Sequence, residues 1–182
     1  MRKLAFVLAL LASPAAATGL SIQIEGDGAN GTVVIDLADD IAPGHAAQIA
    51  ALAAEGAYDG VVFHRVIDGF MAQTGDVEFG KMGGNMSRAG TGGSSRPDLK
   101  AEFSDVPFER GVVGMARSKD PNSANSQFFI MFAPGYFLNG QYTVVGHVTE
   151  GMDVVDAIKR GKGRTGEVVG KPDVMTKVTV TD

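Results

Sequence analysis

Arg65 and Gln73 stand on either side of an Asp68-Gly69 turn, inside the run Phe63–Asp76, FHRVIDGFMAQTGD. Phe70 and Met71 lie between them. A guanidinium stays charged and presents several donors in a fixed fork. Beside large apolar side chains, with no thiol in the chain and no paired carboxylates in the run, such a fork suits binding and polarising an amide. Covalent attack has no obvious nucleophile here. VVFHRV has the β-branched and aromatic density of a strand, and FMAQT begins a second one after the turn. Side chains two apart share a strand face, so Met71 and Gln73 point the same way, with Arg65 just across the turn.

These two strands need a scaffold. Leu20–Ile24 and Val33–Leu37 alternate apolar and polar residues around the turn cluster Gly26–Gly31, which predicts a hairpin. Pro43 opens a helix and Gly56 closes it, with Ile49, Leu52 and Ala53 as its apolar stripe. Gly75–Arg110 is glycine-rich and without period, a long loop of the kind that carries function. Strand-like runs resume at Gly111–Ala116, Gln127–Phe132 and Thr143–Val148. A second helix is expected over Met152–Arg160, capped by Gly161, and Val174–Val180 closes the chain as a strand. Many short strands with two helices predict a mainly β protein, a barrel or a sandwich. A closed barrel is preferred because closure removes exposed edges.

The chain has 182 residues, 45% of them apolar and 20% charged, which describes one globular domain with a sizeable core. The absence of cysteine excludes disulfides, thiol nucleophiles and cysteine-ligated metals. Arg2 and Lys3, the apolar run Leu4–Leu11 and the small residues Ala15–Ala17 form a three-part secretory signal, with cleavage expected after Ala17. The domains are therefore expected as a signal peptide over 1–17 and one folded domain over 18–182. The apolar run is too short to anchor in a bilayer, so no stable membrane insertion is expected. Losing Arg2 and Lys3 makes the net charge of −5 more negative by two, a poor balance for nucleic acid.

Other motifs carry little. Gly90–Gly93 lacks the following Gly-Lys-Ser/Thr of a phosphate cradle and suits a tight loop wall, and no Gly-x-Ser-x-Gly elbow occurs. His45 and His147 lack metal-ligand spacing. Asn30 and Asn85 open glycosylation sequons, which matter only where secreted proteins are glycosylated. Phe70, Met71, Phe129 and Leu138, taken singly, read as core residues.

The chain resembles the cyclophilins, the cyclosporin-type peptidyl-prolyl cis-trans isomerases. FHRVIDGFMAQTGD is followed in order by Ala89–Gly93, Ala101–Phe103, Gly114–Ile130 and Phe137–Ile158, blocks similar to those of the family across the whole mature length. Short loops and the signal segment resemble the bacterial exported branch.

The resemblance implies a closed eight-stranded antiparallel β-barrel capped by two α-helices, with the proline groove on its outer face. It implies Arg65 as catalytic, Gln73 as its pocket partner, and Phe70, Met71, Phe129 and Leu138 as the seat of the proline ring. His64 shares the motif, and Ala116, Arg117 and Gln127 line the groove for residues before proline. Arg117 stands where the family usually has asparagine. Phe137 and Tyr142 stand where many eukaryotic members have tryptophan and histidine, so cyclosporin binding is expected to be weakened. The loop Ser118–Asn125 is slightly longer than in those relatives. The implied activity is rotation of X-Pro bonds in folding exported polypeptides, with no cofactor or metal, in the periplasm, by a monomer. The alternative is a prolyl-peptide-binding chaperone without catalysis. A small-ligand carrier would need a large internal cavity.

Overall fold

The computed structural model describes residues 18–182; the signal segment lies outside the described residues. The two alternating runs form β1 (Gly19–Glu25) and β2 (Gly31–Leu37), an antiparallel pair that buries Leu20, Ile22 and Ile24 with Val33, Ile35 and Leu37. Along the chain follow α1 (Pro43–Ala54), β3 (Val61–Val62), β4 (Arg65–Ile67), β5 (Met71–Thr74), β6 (Val112–Met115) and β7 (Phe128–Met131). The last elements are β8 (Val144–Glu150), α2 (Met152–Ala157) and β9 (Val174–Thr181). The strands all pair antiparallel in one nine-stranded sheet ordered β3-β9-β1-β2-β8-β6-β7-β5-β4.

This corrects the closed eight-stranded barrel. VVFHRV is not one strand: Phe63 and His64 leave the ladder and divide it into β3 and β4, the two outer strands of the sheet. The reason lies in their backbone partners. Phe63 N–H bonds the Asp173 carbonyl at 3.0 Å, and the His64 carbonyl accepts from Val168 N–H at 3.0 Å. The sheet's ends thus meet through two residues of chain rather than through a ladder, and the sheet curls into an open half-barrel. Loops cover both edges. Val62 N–H bonds Gly80 O at 2.9 Å, and Val66 N–H bonds Gly166 O at 2.7 Å.

Period-two alternation gives the sheet two different faces. Val66, Ala72, Val113, Phe128, Ile130 and Val145 join the main core, together with Ala46, Ile49, Leu52 and Ala53 of α1. Their strand neighbours Met71, Val112, Phe129, Met131 and Val144 form a second cluster on the outer face with Phe108 and Leu138. Helix α1 spans the expected residues and ends where Gly56 turns at φ +69. Its first turn has no local side-chain cap. Glu102 supplies one from far along the chain, accepting from Gly44 N–H at 3.1 Å, His45 N–H at 3.0 Å and His45 Nδ1 at 2.5 Å. Although partial burial pulls the Glu102 carboxyl upward, these hydrogen bonds hold it below its ordinary pKa. His45, without a role in the sequence, is thus a buried member of this lock.

Helix α2 stops at Ala157, short of the expected Arg160. Asp173 takes Lys159 N–H at 2.7 Å, and the Arg160 guanidinium folds back onto the Ile158 carbonyl. Gly161 is no helix cap; it packs against the Gly166 carbonyl, where a side chain would collide. The long segment Gly75–Arg110 holds a single 3-10 turn, Met86–Arg88. It is organised by buried Asp76, whose carboxylate accepts the N–H groups of Glu78, Phe79, Gly90 and Gly92 at 3.1, 2.9, 2.7 and 3.0 Å.

Candidate active site

Strand register lays the key residues in one row across the outer face. Arg65 in β4 lies opposite Gln73 in β5, Gln73 opposite Phe129 in β7, Phe129 opposite Gly114 in β6, and Gly114 opposite Val144 in β8. Directly opposed residues point to the same side, so pairing alone brings a cation, a carboxamide and an aromatic ring together. The turn that sets this register is closed by Phe70 N–H on Ile67 O at 3.0 Å, with Gly69 at φ +67. Gly114 is the gap in the row. A Cβ there would stand 2.4 Å from the Phe129 ring and 2.6 Å from Phe108, which stack with centroids 5.8 Å apart. The bare backbone lets the two rings stack, so that Phe129 lines the floor of a pocket with buried Phe108 packed against it.

Around that floor, Arg65, Phe70, Met71, Gln73, Ala116, Arg117, Phe129, Phe137, Leu138 and Tyr142 enclose a cavity of about 240 Å³. That is a small site, on the scale of one side chain rather than a large ligand. Phe137 is 66% exposed and tilts against Phe70 at 5.4 Å, while Leu138 is buried below it. Tyr142 meets Phe129 edge-on at 5.9 Å.

The polar side of the cavity is one chain of hydrogen bonds. Arg65 Nη1 donates to Gln73 Oε1 at 3.0 Å, Gln73 Nε2 to Gln127 Oε1 at 2.9 Å, and Gln127 Nε2 to the Gly92 carbonyl at 2.8 Å. Arg65 Nε donates to the Thr165 carbonyl at 3.0 Å. The fork is therefore gripped at two nitrogens, and Nη2 has no hydrogen-bond partner among the described residues. Burial pushes the Arg65 pKa below its ordinary value, with Tyr142 acting the other way; the guanidinium remains a cation near neutrality.

His64 and Gln127 stand beside this cavity rather than in it. Gln127 faces a neighbouring space of about 260 Å³ that shares Gln73, Ala116 and Arg117. His64 lines a third space of about 230 Å³ on the far side of Arg65. It is 8% exposed and neither ring nitrogen has a hydrogen-bond partner. Burial pushes its pKa down to about 4, Asp76 opposes this and Arg65 adds to it, so the ring is neutral at neutral pH. Thr165, Gly92 and Gly114 complete the site, though no sequence signal marked them individually. Two act through backbone carbonyls and the third through a missing side chain.

Comparison with known proteins gives the family. Residues 20–180 match the family model of the cyclophilin-type peptidyl-prolyl cis-trans isomerases. A Brucella suis protein named "Probable peptidyl-prolyl cis-trans isomerase" is 62% identical over 153 residues, 83% of this chain and 78% of its own. Peptidyl-prolyl cis-trans isomerase B of Escherichia coli K12 is 38% identical over 166 residues, 84% of this chain and 96% of its own. In fold, the chain is similar to a crystal structure of a Cryptosporidium parvum cyclophilin-type isomerase, with a TM-score of 0.75 at 23% identity over 92% of this chain and 99% of that one. A cyclophilin from Hirschia baltica matches with a TM-score of 0.70 at 26% identity, over 88% of this chain and 73% of that one. The chain belongs to the cyclophilin family and is a peptidyl-prolyl cis-trans isomerase.

Proposed function

We propose that this isomerase acts on X-Pro bonds of exported polypeptides, seating the proline ring over Phe129 and turning the bond against Arg65. The observation that carries the proposal is the clamped guanidinium. Gln73 and Thr165 hold two of its nitrogens beside an apolar slot, leaving the N–H groups of the third, Nη2, to a substrate. An imide bond rotates over a barrier of ~20 kcal/mol because rotation breaks resonance. The twisted prolyl nitrogen regains a lone pair, and the charge separation of the planar imide falls. An apolar floor of Phe129, Met71 and Leu138 favours the less polar twisted state. The Arg65 fork then donates to the lone pair, an interaction stronger in the twisted state than in the planar one. Gln73, itself steered by Gln127, keeps the fork aimed. A charge-assisted hydrogen bond with desolvation supplies several kcal/mol, and ~4 kcal/mol is already a thousandfold in rate.

Export is supported by the three-part signal sequence. Thr18, the first residue after the expected cleavage, is tied to the sheet. Its carbonyl accepts from Leu37 N–H at 2.9 Å and its N–H donates to Asp39 at 3.0 Å. Cleavage before Thr18 leaves every strand whole. The direct test of the activity is cis-to-trans exchange of a short X-Pro peptide followed by NMR. Catalytic amounts of the protein should speed exchange; exchange at the uncatalysed rate would reject the proposal.

A further inference from the structure

We propose that Arg117 is a positioning residue that clamps the Tyr142 wall of the proline pocket, rather than a cation offered to the substrate. This rests on the pocket assignment above. Arg117 lies on the partition between the two cavities that share Gln73 and Ala116, where a free guanidinium would attract an acidic residue before proline. Its donors are spent elsewhere. Nε and Nη2 both donate to the Gln141 carbonyl, at 3.2 and 2.8 Å, and Nη1 donates to the carbonyls of Ser118 and Lys119, at 2.9 and 3.5 Å. That engages four of the five N–H groups a guanidinium carries. The guanidinium carbon also sits 4.3 Å from the centroid of the Tyr142 ring. Tyr142 is thus pressed between the cation and the edge-on Phe129 ring.

The geometry has a consequence for specificity. A fork that grips the carbonyl just before Tyr142, while its plane covers the ring, fixes both the backbone and the side chain of this wall. Only a planar, forked cation does both; an ammonium is a point charge that cannot grip and stack together. The same residue anchors the start of the Ser118–Asn125 loop, where Ser118 N–H bonds Ser123 Oγ at 2.9 Å. With its donors committed to carbonyls, Arg117 does not select acidic residues ahead of proline.

The test compares wild type, Arg117→Ala, Arg117→Lys, Tyr142→Ala and the Arg117→Ala/Tyr142→Ala double variant on Glu-Pro, Ala-Pro and Lys-Pro peptides. Wild-type turnover of Ala-Pro checks the pocket assignment itself and is read first. Arg117→Ala should lower kcat/KM about tenfold on all three peptides, with the Glu-Pro to Lys-Pro ratio unchanged within about twofold. Arg117→Lys should fail to restore the rate, and the double variant should lose little beyond Tyr142→Ala alone, as coupled positions do. Thermal melts identify any variant that fails to fold, in which case Arg117→Met, which keeps the aliphatic stem, takes its place. Selective loss of Glu-Pro turnover, rescue by lysine, additive losses in the double variant or wild-type rates in Arg117→Ala would each overturn the proposal.

Discussion

His64 shows how far a side chain's surroundings can depart from what its type suggests. A histidine beside an arginine at the edge of the groove invites a proton-shuttle role, yet the ring is buried and neutral at physiological pH. Its folded pKa, near 4, lies below the unfolded value of 6.5. The unfolded chain therefore binds more protons between these values, and stability falls as pH drops from 6.5 towards 4. By linkage the loss at pH 4.5 is about 2–3 kcal/mol. Urea unfolding of wild type and His64→Leu at pH 7 and pH 4.5 should show a smaller pH loss in the variant, and equal losses would refute the burial account. Over pH 6–8, His64 should add no slope to catalysis. Phe137 supports a second expectation at this scale. It is exposed at the pocket rim and lacks an indole N–H, so Phe137→Trp should tighten cyclosporin roughly 3- to 10-fold, the worth of one hydrogen bond. Titration calorimetry checks this.

At the scale of elements, the site is a consequence of register. One row across β4, β5, β7, β6 and β8 carries Arg65, Gln73, Phe129, Gly114 and Val144, so anything that moves a strand moves the chemistry. Gly114 is its most sensitive point. Gly114→Val should force the Phe108 and Phe129 rings apart, destabilise the fold by about 1–3 kcal/mol and raise KM for X-Pro peptides. Melting and peptide exchange read both, and a variant matching wild type in both would show that the ring stack does not hold Phe129 in the pocket floor. The hairpin at Asp68-Gly69 and the outer-face grouping of Met71 with Gln73 were legible because turn chemistry and strand period are local. The division of VVFHRV was not. Its cause is the capture of Phe63 by Asp173 and of His64 by Val168, partners far along the chain. The early end of α2 has the same origin, since Asp173 competes for the Lys159 N–H. The Glu102 lock on α1 was likewise hidden by distance.

The whole molecule is an open nine-stranded sheet curled around a core on one face and presenting the pocket on the other. Its mainly β character with two helices was readable from alternation and capping. The barrel's closure was not, because it turned on whether Phe63 and His64 continue the ladder. Export also belongs to this scale. Full-length chain made in a Gram-negative host should be recovered from the periplasmic extract with Thr18 as its first residue by mass spectrometry. A cytoplasmic product retaining Arg2 and Lys3 would contradict the signal-peptide assignment. No helix among the described residues is long and apolar enough to cross a membrane.

The account stands on the Arg65 fork, and the Arg65→Ala variant tests it most directly. Exchange of an Ala-Pro peptide should slow on the order of 100-fold in kcat/KM, the worth of one charge-assisted hydrogen bond to the twisted nitrogen, while the melting temperature stays near wild type. A folded Arg65→Ala protein that turns the peptide over at the wild-type rate would contradict it.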